Sequence, residues 1–433
     1  MKKVVLILFC VLFLCSCGIV DIINSDFSST ENSSNIVSTT SSFNSNDVSS
    51  KKPVNINTKI YAAKNTTTYS KDLLYPNSKY SSIDEDSYFY YSSLPEKLKP
   101  MYKTLCNSIE CMADGFIDLG YINDDEISLL ITCIKYDKPE YFWLGQDYII
   151  NTKKNGLKQV AFQFKSDKYT IKYLYDPKTR NTILSKLKAT ITSLAEKMPD
   201  STDFDKELYI HDFLVNNCSY NEDAINNILE HQSSYNVYGA LIKQKAVCEG
   251  YAKAIQLLNN YFGIKTTVIT GNADGQNHMW NLVLIDNKYY HFDATFNDGN
   301  SSNLYSYFNL SDTSIKRTHS VDKDFYENVK LPNASSIEKS YFKVNNSLIY
   351  NDPPLEIKNA IIDAIINKKT SVDFGYSDEV TVFYKSNDEL LNNGIDILKI
   401  LSIYGKIHKV KVKNVKIIFA TNHNFKITWD FEK

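Results

Sequence analysis

The stretch from Ala246 to Asp298, AVCEGYAKAIQLLNNYFGIKTTVITGNADGQNHMWNLVLIDNKYYHFDATFND, changes its hydrophobic period part-way, and that change restricts what the chain can build. From Tyr251 the apolar residues Tyr251, Ala254, Ile255, Leu258, Tyr261 and Phe262 recur at steps of three and four, which predicts a helix with one buried face. Gly263 is placed to end it. Thr266 to Thr270 is a β-branched run and Gly271 to Gly275 reads as a loop. His278–Ile285 and Lys288–Asp293 then alternate like two strands around the turn signal Asp286-Asn287. With an even loop centred on that turn, Leu284 faces Tyr289, Leu282 faces His291 and Trp280 faces Asp293. His278 then shares a face with Asp293 as its diagonal neighbour, about 7–8 Å away between Cβ atoms, within side-chain reach.

That register has a chemical consequence, because Cys248 stands at the start of the same helix. A thiol there lies beside unpaired backbone N–H groups and the positive end of the helix dipole, which favour thiolate and can hold a developing oxyanion. An aspartate that fixes one imidazole nitrogen leaves the other for the thiol, so Cys248, His278 and Asp293 are expected as nucleophile, base and orienting acid. For a second oxyanion donor the upstream candidates are Gln244, Gln232 and Tyr235. Trp280 and Tyr251 read as packing residues. His211, His231, His291, His319, His408 and His423 have no paired metal-ligand spacing and read as structural or exposed, so neither metal nor cofactor is expected.

The motifs AVCEGYA at Ala246–Ala252, HMWN at His278–Asn281 and DATFND at Asp293–Asp298 resemble the core of the transglutaminase-like superfamily, in particular its bacterial secreted members. IHDFLVNNCSYN at Ile210–Asn221, YNVYGALI at Tyr235–Ile242 and YFNLSDTSIKRTH at Tyr307–His319 extend the resemblance over roughly residues 85 to 330. The resemblance implies an α+β fold with a papain-like core, in which the cysteine helix packs on an antiparallel sheet bearing the histidine and aspartate. It implies Cys–His–Asp chemistry on amide or peptide bonds, ending in hydrolysis or amine transfer. Phe296 stands where many members have tryptophan. The rival reading is an inactive relative that keeps the fold and binds or scaffolds at the cell surface.

Around this core the chain divides by composition. Residues 1–16, with a basic start and an apolar run from Val4 to Leu14 too short to span a bilayer, read as a signal peptide. Leu14-Cys15-Ser16-Cys17 resembles a lipobox, so Cys17 is expected to be the lipidated N-terminus and the protein to sit on the outer face of a bacterial cytoplasmic membrane. The Ser-, Thr- and Asn-rich residues 17–86 read as a disordered tether with a reach of roughly 45 Å. Residues 87–200 are expected to form an N-terminal α+β extension, 201–332 the catalytic core, and 338–433 a small α+β accessory domain, either a binding module or a structural cap. In the extension, Leu94–Met112, Arg180–Met198 and Phe204–Asn217 read as helices, with Asp203 as cap of the last. Glu126–Tyr136 and Tyr141–Ile150 read as extended or mixed, and Val160–Tyr175 as strands.

Past Cys17 the thiols Cys106, Cys111, Cys133, Cys218 and Cys248 are odd in number, which leaves one free for work. The net charge of −2 gives no electrostatic reason to bind nucleic acid; the expected partner is a protein or peptide substrate, such as a cell-wall or surface protein.

Overall fold

The computed structural model describes residues 88–166, 170–298, 305–327, 329–349, 353–376, 397–420 and 424–432, and the backbone of one earlier strand, 33–37. The expected signal peptide, Cys17 and His423 lie outside the described residues. So does most of the expected tether, but strand β1 (Ser33–Val37) falls within it and pairs antiparallel with a strand of the extension. Among the described residues no helix is long and apolar enough to cross a membrane.

The extension opens with helices α1 (Phe89–Ser93) and α2 (Lys99–Glu110), then β2 (Ile117–Gly120) and α3 (Asp124–Asp137). Strands β3 (Tyr148–Thr152) and β4 (Lys158–Ala161) complete an antiparallel sheet of order β1-β3-β4-β2. The extended reading of Glu126–Tyr136 is overturned. Asn123 and Glu126 form a capping box that starts a helix, and Ile127, Leu130, Ile131 and Ile134 are its buried stripe. β-branched residues weigh toward strand only where packing does not decide otherwise. Tyr141–Ile150 is largely irregular before it enters β3, with Trp143 fully buried and its indole N–H donated to the Ile109 carbonyl at 3.1 Å. A short hairpin, β5 (Phe164–Lys165) and β6 (Thr170–Ile171), leads to α4 (Pro177–Lys197) and α5 (Asp203–Asn217). The cap of α5 is Thr202, one residue before the expected Asp203, because its hydroxyl takes the Asp205 N–H while the Asp205 carboxylate returns to the Thr202 N–H.

The core continues through β7 (Ser219–Tyr220), α6 (Glu222–Asn226), a π-helical turn at Gly239–Lys243 and β8 (Lys245–Ala246) into α7 (Cys248–Tyr261). Strands β9 (Thr266–Ala273), β10 (Gln276–Ile285) and β11 (Lys288–Phe292) follow, then α8 (Ala294–Asp298), α9 (Asp312–Ile315), β12 (His319–Val321) and α10 (Lys323–Tyr326). The sheet order is β11-β10-β9-β12, all antiparallel. The predicted hairpin register holds: Leu284 pairs with Tyr289 and Leu282 with His291. Asp286 and Asn287 both have positive φ, 49° and 58°, as a two-residue type I′ turn requires. The loop expected at Gly271–Gly275 is shorter, since β9 runs on to Ala273 and a second tight turn uses Asp274 and Gly275.

Helix α7 was expected to bury one face, yet every residue from Gly250 to Tyr261 is buried. Its inner side is held to the sheet by Asn281, whose amide donates to the Ala252 carbonyl at 2.9 Å. Its other side is roofed by the extension, where the Gln256 amide donates to the Tyr136 carbonyl at 2.7 Å. The Tyr90 hydroxyl donates to the Val268 carbonyl at 2.7 Å and meets the Tyr326 hydroxyl at 2.9 Å. Tyr90 itself is seated by the Asp137 carboxylate, which accepts the N–H groups of Tyr90 and Tyr91 at 3.0 and 2.8 Å and so caps α1 from a distant element. Extension and core therefore share one hydrophobic core running from Tyr90 to Ala334.

The C-terminal unit has a separate core around Ile357, Ile361, Phe374, Phe425, Ile427 and Trp429. After the one-turn helix α11 (Tyr341–Val344) come β13 (Leu348–Ile349), α12 (Pro353–Ile366), β14 (Ser371–Tyr376), α13 (Ile397–Ile407), β15 (Val412–Ala420) and β16 (Asn424–Phe431), with sheet order β13-β14-β16-β15. Residues 377–396 of the expected accessory domain lie outside the described residues.

Candidate active site

Cys248 is the first residue of α7, after Val247 as N-cap, and its side chain is partly exposed. Gly250 is the residue that lets the helix mouth close up. A Cβ there would lie 2.4 Å from the Ser234 carbonyl oxygen and 2.8 Å from the Ala246 Cβ. Of the other described thiols, Cys106, Cys111, Cys133 and Cys218 are all buried.

His278, on β10, makes a 2.7 Å hydrogen bond from Nε2 to Asp293 Oδ2. The Cys248 thiol lies near the same ring and favours its charged form; with Nε2 on Asp293, Nδ1 is the nitrogen left for sulfur. Burial would pull this imidazole toward its neutral form, but the Asp293 carboxylate and then Cys248 reverse that, pushing its pKa up to about 10. Asp293 is fully buried. Burial opposes its charge, yet His278 and His319 hold the carboxyl well below the usual carboxylate range.

Asp293 does two jobs with its two oxygens. Oδ1 accepts the N–H groups of Thr295 and Phe296 at 2.8 and 3.1 Å, capping α8. Oδ2 accepts from His278 and from His319 Nε2, the latter at 3.0 Å. His278, Asp293 and His319 also form a group whose ligand atoms lie within 4.8 Å of one another. Both nitrogens, however, meet the same carboxylate oxygen at hydrogen-bond distance, so a cation there would have to displace the protons that join them.

Around this group the other motif residues take structural places. Trp280 is buried as expected, stacks on His278 with a 20° interplanar angle, and donates its indole N–H to His291 Nδ1 at 3.1 Å. His291 Nε2 pairs in turn with Asp312 Oδ1 at 2.9 Å. Phe296, the departure from tryptophan, packs on both His278 and His319 at ring separations of 4.9 and 4.8 Å. Tyr251 is buried and donates its hydroxyl to Asp298, the last residue of the DATFND motif. His211 is buried against Asn297 and Phe292, whereas His408 is exposed.

Tyr235 lies near Cys248, but its hydroxyl donates to the Ala224 carbonyl at 2.9 Å. Gln244 closes the π-helical turn in a left-handed conformation, φ 58°, with an exposed side chain and a carbonyl that accepts the Ser219 N–H at 3.0 Å. Gln232 lines a cleft on the extension side of α7. The residue missed is Tyr220. Its strand partner is Ala246, two residues before the nucleophile, and its hydroxyl faces the Cys248 backbone N–H. Burial and the neighbouring Cys248 push this phenol up, so it stays protonated and able to donate. A two-residue parallel bridge has no period that a sequence could reveal. His319 was missed for a similar reason, since a lone histidine after a turn gives no sign that its strand lies at the far edge of the sheet.

The cleft beside α7 is lined by Lys135, Phe142, Gln232, Tyr235, Glu249 and Lys253. A larger cavity of about 820 Å³ sits in the C-terminal unit between Tyr341, Asp363 and Asp373, and none of its lining residues belongs to the site.

Residues 192–294 match the model of the transglutaminase-like superfamily. Similar solved structures include a TGase, 20% identical with a TM-score of 0.23, covering 33% of this chain and 42% of that one. A candidate cysteine protease from Cytophaga hutchinsonii is 22% identical with a TM-score of 0.21, covering 25% and 37%, and a candidate protease from Parabacteroides distasonis is 16% identical with a TM-score of 0.20, covering 31% and 33%. The chain thus spans less than half the length of these structures. None of the curated proteins compared with it matches. With α7 packed on an antiparallel sheet that carries His278 and leads into Asp293, the segment from 192 to 294 is a transglutaminase-like domain with an α+β core.

Proposed function

We propose that the protein is a cysteine enzyme that opens amide or peptide bonds through a thioester on Cys248. The observation that supports this most is His278, bonded through Nε2 to Asp293 at 2.7 Å with Cys248 close enough to favour its charged form. With its proton taken by His278, the Cys248 sulfur attacks the carbonyl carbon and a C–S bond forms. The oxyanion is held by the Cys248 N–H, with the Tyr220 hydroxyl as second donor. Collapse breaks the C–N bond, and His278 gives its proton to the departing amine. Water or a second amine then attacks the thioester, His278 takes the proton of that nucleophile, and the thiolate leaves. The cleft between the extension and α7 is the approach for a protein or peptide, such as a cell-wall or surface protein.

The same reading places the enzyme on the outer face of the cytoplasmic membrane, anchored by lipid on Cys17; the support is the basic and apolar N-terminus with its lipobox-like end. Incorporation of labelled palmitate that vanishes in Cys17→Ala is the expected result, and unchanged labelling would sink this part.

The enzyme reading is tested with iodoacetamide near neutral pH. Fast labelling of Cys248, lost in Cys248→Ala and slowed in His278→Ala, is expected; labelling no faster than that of an ordinary thiol points to the inactive scaffold instead. Incubation with protein substrates and a labelled primary amine then separates the outcomes, as new termini mean hydrolysis and incorporated amine means transfer.

A further inference from the structure

Two donors meet at Asp293 Oδ2, and the reading above uses only one of them. His319 reaches that oxygen at 3.0 Å from β12, the edge strand, and its side chain is wholly buried. Its other nitrogen, Nδ1, lies 2.8 Å from the Thr318 hydroxyl. A hydroxyl that donates to Nδ1 leaves the ring proton on Nε2, the nitrogen facing the carboxylate. Edge-on contact with Trp280 at 4.9 Å and a tilted contact with Phe296 at 4.8 Å hold the ring plane. Asp293 is thereby saturated: two backbone N–H groups on Oδ1, and one imidazole N–H on each side of Oδ2.

We propose that His319 is a positioning residue for the Cys248–His278 pair: its Nε2–H, with the tautomer set by Thr318, pins Asp293 Oδ2 so that this oxygen faces His278. Without that second donor, the Oδ2 end of the carboxylate is held by His278 alone and can rotate with it. The base then loses a fixed orientation, although no atom that reacts has been removed. β12 reaches its place through Gly271, which sits between His278 and Val321 in the sheet. A Cβ on Gly271 would fall 2.0 Å from the Ser320 carbonyl oxygen. The absence of a side chain at that one position is what lets the third strand approach closely enough to deliver the imidazole.

The proposal rests on the Cys248–His278–Asp293 reading, and its first readout does not require turnover. In protein with nitrogen-15-labelled histidine rings, the His278 Nε2–H should give a resolved, slowly exchanging downfield proton. His319→Leu, which keeps the bulk of the ring, should broaden or erase it, and His319→Gln, which keeps a terminal N–H, should preserve it. Thr318→Val, which frees the His319 tautomer, should fall between them. In turnover the expected pattern is a kcat about 10-fold lower in the leucine variant at unchanged KM, with glutamine restoring it to within about 3-fold. Equal behaviour of leucine and glutamine, or an unaltered His278 proton in His319→Leu, overturns the proposal. If the resonances behave as expected but Cys248 of the unaltered protein labels no faster than an ordinary thiol, the enzyme reading falls while the positioning role stands.

Discussion

His278 and His291 stand on paired strands of one sheet, both bonded through Nε2 to an aspartate, at 2.7 Å to Asp293 and 2.9 Å to Asp312. They share Trp280 as a neighbour, yet their protonation goes in opposite directions. Burial pulls both toward neutral. For His278 the fully buried Asp293 and the Cys248 thiol reverse this, whereas for His291 the partly exposed Asp312 does not, and its pKa stays lowered. The second nitrogen states the difference in structural terms. Nδ1 of His278 is turned to a thiol that can give up a proton, while Nδ1 of His291 is spent accepting an indole N–H. A histidine–aspartate pair is thus no more than half of a base; what meets the other nitrogen decides whether it reacts or braces.

The comparison breaks most sharply at the histidines themselves. His278→Ala should cut the rate of Cys248 acylation on the order of 10²–10⁴-fold in protein that remains folded, as expected for loss of general acid–base help. His291→Leu should do the reverse, leaving the Trp280 N–H buried and unpaired at a cost of about 1–3 kcal/mol in chemical denaturation while the folded protein reacts normally. If His291→Leu silences the thiol in folded protein, the two pairs are not separate devices.

The aspartates come next. Asp293→Asn removes the charge that holds His278 protonated and should lower acylation about 10²-fold, moving the alkaline limit of activity downward. Asp312→Asn, at a site about a third exposed, should cost no more than about 1 kcal/mol and leave the rate alone.

The pH dependence of stability is a finer test, and the signs differ. His278 has a raised pKa, so its contribution is complete below the unfolded value of about 6.5 and is lost as pH rises through about 10. His291 has a lowered pKa, so its contribution is present above about 6.5 and is lost as the solution turns acidic. Melting curves should therefore lose their alkaline limb in His278→Ala and the mildly acidic limb in His291→Leu. Unchanged limbs in the matching variants would contradict the assigned charge states.

Much of this site was legible beforehand because it is local. Helix period, turn signal and alternation in Tyr251–Asp293 placed Cys248 at a helix start and counted His278 onto the face of Asp293. What stayed hidden depends on chain that meets only after folding: Tyr220 across a two-residue bridge, and His319 on a strand added beyond β9. The helix of Asp124–Asp137 was lost to its β-branched residues, although Asn123 and Glu126 carried the capping signal. The extension looked like an addition because composition cannot show that Tyr136 and Tyr90 cover α7 and β9.

The hydrogen bond from Tyr90 to Val268 spans 178 positions of chain, and its time order matters. During synthesis or passage through a pore in N-to-C order, Tyr90 emerges long before the strand it will hold, so the extension must wait with an unfilled interior. The nucleophile emerges next, and its orienting partners come last, as far on as His319. On the enzyme reading proposed above, Cys248 stays without its base until then, so the growing chain would carry its own delay against premature reaction with the proteins around it.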